Sequence, residues 1–290
     1  MMENPTIVWA NGLIKGKKEE QYNVLKKVMK TKAGIVVVLS LAATLVSRLG
    51  LPNFIVNVFS DKPHGKTLSG EFAVSLLGSP SLGVTWNATP KGLEQYASTL
   101  PDMPLFIDSL GLTQDKWSIV SDFLNKFSTV EGKRAGMKGI VITTTTTNIK
   151  EIEGWFPRSR KLTTTTANRI IEIDLDEVAP DLSFFTTLDG EALDGMLIHG
   201  AAINHHGHFG IDWKRYIGTN AHAIMESYRS MLHHNQNLLH AGKDTSKLVA
   251  AAGVVIFGLE HLGIVDSAEM SWLGAEITEI LQPNTKCPLA

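Results

Sequence analysis

The stretch Phe54-Ile55-Val56-Asn57-Val58-Phe59, followed by Ser60-Asp61-Lys62-Pro63-His64-Gly65-Lys66-Thr67, decides how this chain is read. Its first part is β-branched or aromatic at nearly every position, the composition of a strand. After the second part Leu68, Phe72 and Leu76 recur every four residues, as on one face of a helix. The intervening loop ends in Gly65-Lys66-Thr67, the last three positions of the phosphate-loop pattern G-x-x-x-x-G-K-[ST]. In such a loop backbone N–H groups wrap phosphates, the helix N-terminus adds its dipole, lysine meets the β/γ oxygens and the hydroxyl binds Mg²⁺. A chance Gly-Lys-Thr is common, and the strand before it and the helix after it distinguish this one. Ser60, His64, Gly65, Lys66 and Thr67 are therefore the expected ligands of a nucleoside triphosphate, ATP. Ser60 stands where the pattern has its first glycine, so a backbone conformation easier for glycine is expected there.

A second short apolar run, Pro104-Leu105-Phe106-Ile107, ends in Asp108. An acid at that place holds the Mg²⁺ shell beside Thr67, and its bland alternative is a turn cap. Ser109 follows, where a hydrolysing site tends to have glutamate; Glu94 and Glu131 are candidates for a displaced base. Thr147 and Asn148 end the next strand and are candidates for reading the γ-phosphate, against an alternative of a plain threonine-rich strand end. Arg134, Arg158, Arg160 and Arg169 are candidate arginine fingers toward a neighbouring subunit, although any one arginine usually makes a surface ion pair. Lys133, Arg134 and Lys138 offer a contact to a DNA backbone or are simply a solvated basic turn.

The formal charge of -2 excludes a basic coat over the whole molecule, so any DNA contact must be local. Cys287 is the only cysteine, which rules out an intramolecular disulfide and favours a reducing compartment. No basic-then-apolar leader is visible, and the apolar stretch from Ala33 to Val46 is too short to span a bilayer; a cytoplasmic protein without a membrane segment is expected. His199, His205, His206 and His208, with His233, His234 and His240 downstream, could in principle bind a metal, but no acidic or cysteine partner completes a set.

Apolar runs at 54–59, 104–108, 139–143 and 169–174 read as strands and alternate with helical patterns at 33–49, 68–76, 91–98 and 116–127, and 131–136 reads as a turn. That alternation predicts an α/β fold, a mostly parallel sheet covered on both faces. From Leu188 to Leu281 the pattern is helical, clearest over Val249 to Leu262. The expected organisation is an extension over 1–32, a phosphate-loop core over 33–187 and a helical C-terminal subdomain over 188–290. The threonine runs 143–147 and 163–166 each adjoin a strand and are expected to be ordered.

With these residues in place the chain resembles the domain of unknown function 927 family over about Ala33 to Leu281. Phe72-Ala73-Val74-Ser75-Leu76-Leu77-Gly78-Ser79-Pro80 resembles that family's helix after the phosphate loop, and Trp86-Asn87-Ala88-Thr89 with Gly92-Leu93-Glu94 its Trp-x-x-Thr and Gly-Leu-Glu signature. Gly132-Lys133-Arg134, Arg169 before Ile170-Ile171-Glu172-Ile173, and His206-Gly207 with Phe209-Gly210 resemble three further patterns. Ser60, Ser109 and Thr145-Thr146-Thr147-Asn148 depart from the family. The resemblance implies a P-loop ATPase fold of the AAA+/superfamily 3 helicase type, from phage or mobile-element replication. It implies ATP and Mg²⁺ as cofactors, a homo-oligomeric ring, and single-stranded or forked DNA as partner. It also implies the motor core alone, without the primase-like region of longer members. The leading expectation is a ring motor with Asp108, Asn148, Arg134 and Arg169 in catalytic roles and Thr67 and Asp108 holding the metal. Its rivals are a hydrolysis-deficient ATP-binding module and a metal-dependent hydrolase built on the histidines.

Overall fold

β-branched and aromatic runs form five strands in the computed structural model, which describes residues 14–85, 88–108, 114–156, 161–179, 184–238 and 243–281. They are β1 (Phe54–Phe59), β2 (Val84–Thr85), β3 (Met103–Asp108), β4 (Gly139–Thr145) and β5 (Ile170–Asp174). All pairs are parallel, in the order β2-β3-β4-β1-β5. Because every strand runs the same way, all segments that follow a strand lie at one end of the sheet. The segments that lead into a strand lie at the other.

The first helices are α1 (Lys18–Val28), α2 (Ala33–Ala42), α3 (Val46–Leu49) and α4 (Lys66–Ser75), followed by α5 (Pro90–Thr99) and α6 (Gln114–Ser128). Short helices α7 (Val130–Arg134), α8 (Ile149–Trp155), α9 (Thr164–Ala167) and α10 (Leu175–Val178) surround the last two strands. The chain then becomes all-helical: α11 (Gly195–Asn204), α12 (His208–Thr219), α13 (Ala221–Leu238), α14 (Lys243–His261) and α15 (Ser267–Leu281).

Strand alternation divides the core in two. Phe54, Val56, Val58, Phe106, Ile140, Ile142, Ile171 and Ile173 face the layer built from α1, α2, α4 and the C-terminal helices. Ile55, Leu105, Ile107 and Val141 face α5, α6 and α8. Every residue of α2 is buried, and its apolar character all round is that of a core helix. It packs on α4, α14 and α15, while α1 packs on α11 and α12, so N- and C-terminal helices share one apolar cluster.

Two local expectations change. The helix over 33–49 is broken by a 3₁₀ turn at Ala43–Leu45, because the Thr44 hydroxyl bonds back to the Leu41 carbonyl (2.6 Å) and also accepts from Trp213 Nε1 (2.9 Å). The turn over 131–136 is largely the short helix α7, started by Thr129, whose hydroxyl accepts from the Gly132 N–H (3.5 Å). The run at 163–166 is ordered, as a helix start just before β5: Thr163 caps α9 by accepting from the Thr166 N–H (3.2 Å). Among the described residues no helix is long and apolar enough to cross a membrane.

Candidate functional site

The loop 60–65 leaves the C-terminal end of β1 and runs straight into α4. Gly65 is the N-cap of α4 at φ 89° and carries no side-chain cap, so the first-turn N–H groups of the helix have no side-chain acceptor there. A Cβ on Gly65 would sit 2.9 Å from the ring of Phe185, so glycine is required on both steric and backbone grounds. The same strap fixes the loop from outside, since the Phe184 N–H donates to the His64 carbonyl (3.2 Å).

Ser60 does not need the freedom of the glycine it replaces. Among the described residues the sole non-glycine with positive φ is Asp102, at 59°. The Ser60 hydroxyl instead accepts from the Lys62 N–H (2.9 Å) and donates to Asp176 (3.2 Å). Asp176, on α10, also meets His64 Nε2 (3.2 Å) and the Lys62 ammonium (3.4 Å). Burial acts to raise the Asp176 carboxyl, but the bonds from His64 and Ser60 and the charge of Lys62 outweigh it and hold it below the usual carboxylate range. Asp176 had no sequence signal: it follows β5, which the parallel pairing with β1 brings beside the loop.

Lys66 folds back over this loop, donating to the carbonyls of Ser60 and Lys62, each at 2.7 Å. Burial lowers its ammonium from the ordinary lysine value, opposed by the charges of Asp176, Asp61 and Asp108. Thr67 Oγ1 donates to Asp108 Oδ1 (3.2 Å), so the first turn of α4 and the end of β3 meet although β4 lies between β3 and β1. Thr144 on β4 donates to the same Asp108 oxygen, a contact that sequence spacing did not reveal. Hydroxyl and carboxylate oxygens are hard donors of the kind that suit Mg²⁺. With Lys66 and the open helix N-terminus beside them, the residues present fit a magnesium-bound phosphate chain.

The other sequence candidates distribute between the two ends of the sheet. Asn148 follows β4 at the phosphate-loop end, where its side chain accepts from the Glu151 N–H (2.8 Å) and caps α8. Arg169 and Arg134 lie at the opposite end. Arg169 precedes β5, with its carbonyl bound to the Ile55 N–H (2.9 Å); its guanidinium pairs with Asp244 (3.1 Å) and also binds the Ser128 carbonyl. Arg134 is exposed at the end of α7. A six-residue strand is about 20 Å long, so neither arginine reaches the phosphate loop of its own chain. Glu94 pairs with Lys126 (2.5 Å). Ser109, Arg158, Arg160 and His240 lie outside the described residues.

His205 and His208 fasten residues 15–17 to the α11–α12 corner. His205 Nδ1 accepts from the Lys17 N–H (3.0 Å), and His208 Nε2 lies 3.1 Å from the carbonyls of Lys15 and Gly16. His206 Nδ1 lies 3.1 Å from the Ala202 and Ile203 carbonyls, and burial pushes its ring below the ordinary histidine value. Gly207 N–H and Gly210 N–H then close onto the Ser75 and Leu76 carbonyls (2.8 Å each), which ties this corner to the far end of α4.

No curated protein matches the chain. Among solved structures, "SCCmec type IV Cch - active helicase" is similar with a TM-score of 0.68 at 18% identity, over 96% of this chain and 54% of that one. This chain therefore spans about half the length of that protein, and at such identity the likeness is one of fold. It covers both the parallel sheet and the helical C-terminal region. Residues 9–137 match the family described as Domain of unknown function (DUF927).

Proposed function

We propose that this chain is the ATP-binding core of a ring-forming motor, a helicase or DNA translocase of phage or mobile-element replication. The observation that carries this reading is the convergence of Lys66, Thr67 and Asp108 at the C-terminal edge of a parallel sheet ordered β2-β3-β4-β1-β5. Ligands of open α/β sheets bind outside that edge. The helicase fold of the similar structure and the family match support it. Mg²⁺, held by Thr67 and Asp108, would neutralise charge on the β- and γ-phosphates. Lys66 would exchange its two loop carbonyls for phosphate oxygens. Arg134 and Arg169 stand at the wrong end for their own site, so any finger role would be toward a neighbouring subunit. Arg169 would first have to leave Asp244.

Hydrolysis with and without single-stranded DNA, together with light scattering in ATP and Mg²⁺, tests this reading. DNA-stimulated turnover and nucleotide-dependent oligomers are expected; a strictly monomeric protein whose ATPase ignores DNA would contradict the motor.

Ser109 favours a second reading, an ATP-binding module with weak hydrolysis. A positioned base contributes on the order of 10²–10⁴ in rate, and serine, uncharged at neutral pH, cannot take up the proton effectively. Ser109→Glu is expected to raise turnover at least about tenfold. Brisk hydrolysis by the native chain, unchanged by that substitution, would remove the second reading.

A further inference from the structure

On the face of the sheet away from α4 lies a chain of buried and half-buried polar groups that the phosphate site does not use directly. Glu172 on β5 stands opposite Asn57 on β1, and Asn57 stands opposite Thr143 on β4, so parallel register brings three strands to one point. Asn57 is fully buried, where an unpaired amide would be costly. Its Nδ2 donates to Glu172 Oε2 (2.7 Å), and its Oδ1 accepts from the Thr145 hydroxyl (2.9 Å). The same hydroxyl lies 2.6 Å from the Thr147 carbonyl, so its single proton is shared between the two acceptors, and Asn57 Nδ2 reaches that carbonyl at 3.5 Å. The second carboxylate oxygen of Glu172 accepts from the Ile149 N–H (2.9 Å), the first residue of α8.

Glu172 is an acceptor at both oxygens, which obliges the Asn57 amide to point its nitrogen toward β5 and its oxygen toward β4. That orientation fixes the Thr145 hydroxyl, and the two ends of the chain grip the segment 145–149 at Thr147 and at Ile149. This segment borders the phosphate loop, because the Thr145 carbonyl accepts from the Ser60 N–H (3.4 Å), and the preceding Thr144 touches Asp108. Burial raises the Glu172 carboxyl, opposed by the bonds from Asn57 and from the Ile149 N–H. A carboxylate retained at such a place is one sign of a functional neighbourhood.

We infer that Glu172 and Asn57 are positioning residues that hold the 145–148 loop where it reads the terminal phosphate of a nucleoside triphosphate. The inference rests on the ATP-site reading above. The cost of the half-buried carboxylate is offset by fixing which way each hydrogen bond of the relay points.

The test compares ATP with ADP affinity, by titration calorimetry in Mg²⁺, for the native chain and two variants. Asn57→Asp sets two carboxylates face to face and should lower the preference for ATP over ADP at least about tenfold while ADP affinity holds. Adding Glu172→Gln in that background restores the donor toward position 57 and the acceptor toward Ile149; the preference should return to within about threefold of native. An unchanged preference in Asn57→Asp with only a lowered melting temperature would overturn the inference, as would failure of the double variant to recover. Should Asn57→Asp not fold, Thr145→Val removes the hydroxyl donor and must show the same loss; an unchanged preference there also overturns it. A native chain that binds ADP as well as ATP would refute the positioning role and leave the phosphate loop standing. A native chain that binds neither would refute both.

Discussion

Lys66→Ala is expected to weaken ATP binding by about 10- to 100-fold and to leave the fold intact. A hydrogen bond to a charged group contributes about 1.5–3 kcal/mol, and each 1.4 kcal/mol is tenfold in affinity. Among the described residues Lys66 offers its ammonium only to two carbonyls of its own loop, which other donors and solvent can serve, and it is absent from the apolar core. Burial leaves this ammonium poorly solvated, so a phosphate that replaces the two loop carbonyls would restore the counter-charge that burial removes. Calorimetric titration with ATP, paired with a thermal unfolding curve, checks both halves. Native affinity in the variant would dismiss the phosphate loop; a collapse of the melting temperature would show Lys66 to be structural.

Asp108→Asn should raise the Mg²⁺ concentration needed for half-maximal ATP binding by at least about tenfold, since it removes a full charge from the metal's shell while keeping the side-chain shape. The amide can still receive the hydroxyls of Thr67 and Thr144 through its oxygen, so the edge of β3 should stay ordered. ATP affinity measured across a Mg²⁺ series decides the matter. If the Mg²⁺ dependence is the same in both proteins, Asp108 is a strand-end group that anchors Thr67 and Thr144 and holds no metal.

What could be read in the sequence was local. The strand over 54–59, the loop and the helix after it are contiguous, and composition alone marks each boundary. Asp108 was legible for the same reason, as an acid ending a short apolar run. The partners that tighten the site come from other strands: Thr144 onto Asp108, Asp176 onto Ser60 and His64, Glu172 onto Asn57. Their meeting depends on strand order and register, which no run of residues declares. One missed point was available in principle. In a parallel sheet residues that precede strands lie opposite those that follow them, so Arg134 before β4 and Arg169 before β5 could have been placed away from the phosphate loop of their own chain. In the sequence the histidines read as an incomplete ligand set; His205 and His208 instead bind backbone groups of residues 15–17, which their spacing could not announce.

Calorimetric titration of the native chain with ATP, ADP and AMP in Mg²⁺ tests the central claim most directly. A site built from a helix N-terminus, Lys66, Thr67 and Asp108 grips phosphates and says little about the base. One site per chain is therefore expected, with ATP and ADP binding in the presence of Mg²⁺ and AMP at least about 10²-fold weaker, because it lacks the β- and γ-phosphates that the lysine and the metal meet. AMP binding as tightly as ATP, or no uptake of ATP at millimolar concentration, would contradict the account.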